Sequence, residues 1–147
     1  MARVSGSTMK KTFGFILIVF ISLLLVAGCT QQQTTDKELK IGVVASMTGS
    51  ASTTGKDVWQ SAQLAADEIN AQGGVYVKDL NKTVLIRLYQ GDDESTREGG
   101  QKAVSKLITQ DKVDILVGGF SSAVVSAHQS IVADNKVPYL ITGASSP

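Results

Sequence analysis

Two stretches put serine hydroxyls beside glycine: GGFSS (Gly118 to Ser122) and GASS (Gly143 to Ser146). Each directly follows an apolar run, ILV before the first and LIT before the second. Glycine lets a backbone approach a ligand closely, and the free N–H groups of a helix start attract an anion. Serine hydroxyls add hydrogen bonds without adding charge. The same residues would also serve as a tight strand–helix turn with a serine N-cap, which needs no ligand. Taken alone, GGFSS fits both readings equally. Its pairing with GASSP at the next strand end favours the ligand, because two uncharged, hydroxyl-rich loops then lie side by side. Such a lining suits a small carboxylate better than a polyphosphate.

Other candidate chemistry is weaker. GSASTTGKD (Gly49 to Asp57) approaches a phosphate loop, but its two glycines are one residue too far apart, and Asp57 stands where a metal-binding hydroxyl is needed. Asp92-Asp93 could be catalytic carboxylates or metal ligands. Acids between a strand end and a helix start more often cap the helix, a role that falls here to Asp93 or Ser95. His128 is the only histidine; it lies mid-helix with no partner to share a metal and reads as a surface or packing residue. Ser121 and Ser122 therefore lack a general base, and no GxSxG elbow surrounds them, which argues against a serine hydrolase. Neither a metal nor a cofactor is implied. Asn81-Lys82-Thr83 fits a glycosylation sequon and equally a polar turn.

The elements that must position these loops alternate. LKIGVVA (39–45) has the β-branched, uninterrupted character of a buried strand. KDVWQSAQLAADEINAQ (56–72) has helical spacing, with Val58, Ala62, Ala65 and Ile69 on one face and Gly73-Gly74 as its stop. TVLIRLY (83–89) is the next strand, and residues 95–110 form a helix with Val104, Leu107 and Ile108 inward. Strand VDILVG (113–118) leads to a helix over Ser122–Asp134, and VPYLIT, from Val137, closes the series. This alternation predicts an α/β fold with a doubly wound parallel sheet, whose ligands bind at the carboxyl ends of the strands. Those ends read SMTGSASTTG, QGDDES, GGFSS and TGASSP, and all but the second are rich in hydroxyls and nearly free of charge.

The N-terminus is of another kind. Arg3, Lys10 and Lys11 precede the apolar run Phe13–Val26, and no acid appears before Asp36. A basic start and an apolar core of this length predict a secretory signal over residues 1–28 rather than a membrane span. The single cysteine follows in LVAGCT, which resembles the lipobox of secreted lipoproteins, with Cys29 as the lipidated residue. Residues 29–38 are polar and aperiodic, a flexible tether. The chain is 43% hydrophobic and 18% charged, a globular composition. Of 14 basic residues three precede Cys29, so the remainder carries 11 against 13 acids, and nothing in that balance favours nucleic acid.

From LKIGVVASMTGSASTTGKD through AADEINAQGGV, DDESTREGGQKAVSKLI, ILVGGFSSAVVSA and VPYLITGASSP, the sequence resembles the leucine/isoleucine/valine-binding type of periplasmic solute receptor. The resemblance spans residues 39–147 and implies the N-terminal part of a two-lobe type 1 periplasmic binding protein fold, feeding the permease subunits of an ABC importer. It implies a receptor without catalysis, exported and held at the outer face of the membrane through Cys29, or periplasmic. By position, it implies that Ser122 gives its hydroxyl and N–H to the α-carboxylate of an amino acid. Ser145 or Ser146 would do the same from the next loop, and the Ala144 carbonyl would accept from the ammonium. Phe120 and Ser121 would line the pocket, and Thr54 stands where the family often has an aromatic wall. Relatives of this type also take amides and other small solutes. The same fold serves as a ligand-sensing module of signalling receptors, the second reading. Family members are more than twice as long, so an N-terminal fragment is expected, with marginal stability and weak solute binding in isolation.

Overall fold

The computed structural model describes residues 38–145. In chain order these form β1 (Leu39–Ala45), α1 (Ser52–Ala71), β2 (Val75–Val77), β3 (Lys82–Val84), β4 (Ile86–Asp92), α2 (Arg97–Thr109), β5 (Ile115–Gly118), α3 (Ser122–Asn135) and β6 (Tyr139–Ile141). One 3-10 turn, Lys78–Leu80, links β2 to β3 in a small antiparallel hairpin. The main sheet runs β4–β1–β5–β6, all parallel. The predicted alternation and the α/β class are therefore observed.

β1 sits between two neighbours, and its alternation sends side chains to both faces. Gly42 and Val44 point to the face covered by α2: a Cβ on Gly42 would come within 3.2 Å of Leu107, and one on Gly91 of β4 within 2.7 Å. The two missing side chains let α2 lie close to the sheet. Its Val104 and Leu107, fully buried, form the core with Val44, Val113, Leu116 and Val132. Each such burial stabilises the fold by about 1.5–3 kcal/mol. Val43 and Ala45 point the other way and are equally enclosed, with α1 resting on β1 and β4.

The structure corrects three expectations about elements. The strand expected over 83–89 is split at the half-exposed Leu85: residues 82–84 pair with β2, and the sheet strand starts at Ile86. Asn70 marks that start, its side-chain amide donating to the Ile86 carbonyl (2.9 Å) and accepting from the Ile86 N–H (2.8 Å). In α1 Val58, Ala62 and Ile69 are half-buried as expected, but Ala66 and not Ala65 is the buried alanine between them. And α2 is capped by neither Asp93 nor Ser95; Thr96 is the N-cap, its hydroxyl accepting from the Gly99 N–H at 2.9 Å.

Candidate functional site

The register brings four strand ends to one edge. Val44 lies opposite Gly91 of β4 and Gly118 of β5, and Gly118 opposite Ile141 of β6. The four loops that follow therefore start side by side, where ligands of parallel α/β sheets bind.

Asp92 and Asp93 fasten the first two loops together. One Asp92 oxygen accepts from the N–H groups of Met47 (2.9 Å), Thr48 (3.2 Å) and Glu94 (2.8 Å); the other accepts from the Thr48 hydroxyl at 2.8 Å. Burial pushes the Asp92 pKa up, but these four donors outweigh it and hold the carboxyl below its ordinary value. Asp93, 1% exposed, accepts from the Ser46 hydroxyl and the Ser95 N–H. Ser95 in turn donates to the Thr48 carbonyl and accepts from the Ala51 N–H, both at 3.0 Å. Both acids are thus occupied in joining loops. Among the described residues no three His, Cys, Asp or Glu side chains are grouped to hold a metal.

GGFSS and GASS are joined as well. The Thr142 N–H donates to the Gly118 carbonyl (3.0 Å), and the N–H groups of Gly143 and Ala144 both donate to the Gly119 carbonyl (3.1 Å). The glycines have another reason than ligand approach. Gly118 has φ +108, and a Cβ there would stand 2.2 Å from the Val44 carbonyl oxygen; at Gly119, φ +79, it would stand 2.4 Å from the Tyr139 hydroxyl. Their backbone closeness is to neighbouring strands. Ser121 is the N-cap of α3, yet its side chain makes no capping hydrogen bond; only its carbonyl is used, by Val124 and Val125.

The expected site residues divide accordingly. Ser121, Ser122 and Ala144 are half-buried, while Phe120 and Ser145 are exposed, on two loops that touch. Thr54 is half-buried in the first turn of α1, beside Gly55, which packs on the Ser46 backbone. Ser146 and Cys29, with the signal and the tether up to residue 37, lie outside the described residues.

His128 is fully buried on the α3 face that also carries Val124 and Val132, so it is a packing residue and not a surface one. Its ring stands 5.6 Å from that of Tyr139, and neither imidazole nitrogen nor the Tyr139 hydroxyl has a hydrogen-bond partner among the described residues. Burial pushes the His128 pKa down, against a smaller upward pull from the Asp93 charge. Burial also raises that of Tyr139, helped by the same charge. The four-residue spacing of Val124, His128 and Val132 carried the signal for this burial.

With this geometry in view, a family model described as periplasmic binding protein matches residues 38–147. The chain belongs to the periplasmic binding protein family. Among its relatives, the Leu/Ile/Val-binding protein BraC3 of Rhizobium johnstonii is 29% identical over 127 residues, 86% of this chain and 33% of that protein. The branched-chain amino acid transporter substrate-binding protein LivJ of Streptococcus pneumoniae, solved with isoleucine, superposes with a TM-score of 0.68 at 31% identity, over 75% of this chain and 30% of its own. The leucine-binding protein LivK of Thermotoga maritima gives a TM-score of 0.63 at 28% identity, over 74% and 29%. The fold is thus the N-terminal part of a type 1 periplasmic binding protein, and this chain spans about a third of the length of these relatives.

Proposed function

We propose that this chain is the N-terminal part of an extracytoplasmic substrate receptor of an ABC importer, binding a small carboxylate-bearing solute, a branched-chain amino acid or a related amide. The observation that carries the reading is the three-bond clasp between GGFSS and TGASS, with the hydroxyl of the N-cap Ser121 uncommitted to the helix it begins. An anion at that helix start meets N–H groups and a favourable dipole without a fixed counter-charge. In this reading Ser122 donates its hydroxyl and N–H to the solute carboxylate. Ser145 or Ser146 donates from the facing loop, the Ala144 carbonyl accepts from the ammonium, and Phe120, Ser121 and Thr54 line the pocket. The rest of the solute is met by a second lobe, whose closure marks the loaded receptor for the permease.

The reading is of a binder, not a catalyst. Among the described residues neither nitrogen of His128, the only histidine in the sequence, makes a hydrogen bond, so His128 does not serve Ser121 or Ser122 as a base. Residues 1–28 act as export signal, Cys29 as the lipidated anchor and 29–38 as tether, leaving 39–147 as part of a lobe at the outer membrane face or in the periplasm.

Titration calorimetry of the gene product with leucine, isoleucine and valine tests the proposal. Ser122→Ala should weaken binding by about 1.5–3 kcal/mol, the worth of one charge-assisted hydrogen bond. An unchanged affinity would remove Ser122 from the site. The mass of the membrane-extracted protein tests the anchor: acyl chains on Cys29 are expected, and an unmodified cysteine would overturn it.

A further inference from the structure

α3 begins at the candidate carboxylate site and, two turns later, carries His128 into the interior. β6 ends in the facing loop and carries Tyr139. The two rings meet beneath the joined loops, tilted at 38°, and Gly119 lies directly over the Tyr139 hydroxyl. Three enclosed polar atoms here have no partner among the described residues. An enclosed polar atom without a partner is costly to bury, so the group is not neutral filling. Its chemistry is complementary, because a phenol donates and a neutral imidazole keeps one acceptor nitrogen. An imidazolium keeps none.

We propose that His128 and Tyr139 are a positioning pair for the solute site: as solute settles on the two joined loops, the Tyr139 hydroxyl donates to neutral His128 and locks them, and a proton on His128 prevents that lock and releases the solute. The inference rests on the solute-binding reading above. The titratable groups that face His128 are Tyr139 from β6 and Asp93 from the loop before α2; α2 itself presents Gly100, 3.0 Å from Nδ1 by its would-be Cβ, while Arg97, Glu98 and Lys102 are exposed. Asp134 on α3 is exposed as well. Burial already favours the neutral imidazole over the pull of Asp93.

The test combines two titrations of the gene product, with leucine as the probe. In imidazole nitrogen NMR, His128, assigned by its loss in His128→Gln, should be a single neutral tautomer at pH 7.5. With leucine bound, the amides of Ser121, Ser122, Gly143 and Ala144 should titrate on its curve, and Tyr139→Phe should uncouple them. By calorimetry, leucine affinity should fall below the His128 transition by up to about tenfold per pH unit. Tyr139→Phe should bind more weakly with a flat profile. Loop amides indifferent to the His128 titration, or a Tyr139→Phe profile like that of the parent, would overturn the pair. If leucine binds with no pH dependence, the pair fails and the receptor reading stands. If leucine binds at no pH, the amino-acid reading of the site fails and the pair falls with it.

Discussion

Asp92 is the residue on which two loops depend, through bonds to positions more than 40 residues away in the chain. Asp92→Asn keeps one oxygen for the three N–H groups but removes the charge and sets an NH2 where the other oxygen accepted from the Thr48 hydroxyl, and should destabilise the fold by about 1–3 kcal/mol in urea unfolding at pH 7. Its pKa is lowered in the fold, so its stabilisation is complete above the ordinary aspartate value and is lost as pH falls through the folded value. The thermal midpoint of the parent should therefore drop below about pH 4, and Asp92→Asn should flatten that limb. A second residue is fixed by space. Gly118→Ala would bring a methyl to 2.2 Å from the Val44 carbonyl oxygen at a φ of +108. It should cost more than about 3 kcal/mol or prevent folding, read as loss of the thermal transition.

At the scale of elements, α2 illustrates how a cap is chosen. Asp93, Ser95 and Thr96 are all capable, and the sequence does not rank them. Glu94 and Ser95 take left-handed backbone, φ +53 and +56, so the chain enters the helix only after Thr96, which is extended at φ −127. Thr96→Ala should cost about 1 kcal/mol, seen in denaturant unfolding, and Thr96→Ser should restore most of it. The strands and helices themselves were legible because apolar spacing is a local signal. Val104 and Leu107 of α2 lie in the core as their spacing required. Ala65 and Ala66 were not distinguishable, since two adjacent alanines carry almost no hydrophobic contrast. The break at Leu85 was likewise hidden in an unbroken apolar run.

For the molecule as a whole, the sheet ends in β6, bonded to β5 alone among the described strands, with Leu140 65% and Phe120 49% exposed nearby. An edge with this much apolar surface is poorly protected. Expressed by themselves, residues 30–147 should give a broad, low thermal transition in calorimetry and bind leucine weakly or not at all. A sharp transition with tight leucine binding would contradict that.

The sequence by itself determined the alternation of the four sheet strands with three helices, the α/β class, the hydroxyl-rich loops at the strand ends and the likeness to solute receptors, but not the β2–β3 hairpin. The features it determined are written in residue type and short spacing. Only the tertiary structure decided which residues those loops rest against. It paired β5 between β1 and β6, so that Gly118 and Gly119 answer to Val44 and Tyr139 rather than to a ligand. It brought Thr48 to Asp92, and it set His128 against Tyr139 with their polar atoms enclosed. Such partners are chosen by sheet order and register, which join residues far apart in the chain, and no local pattern records them.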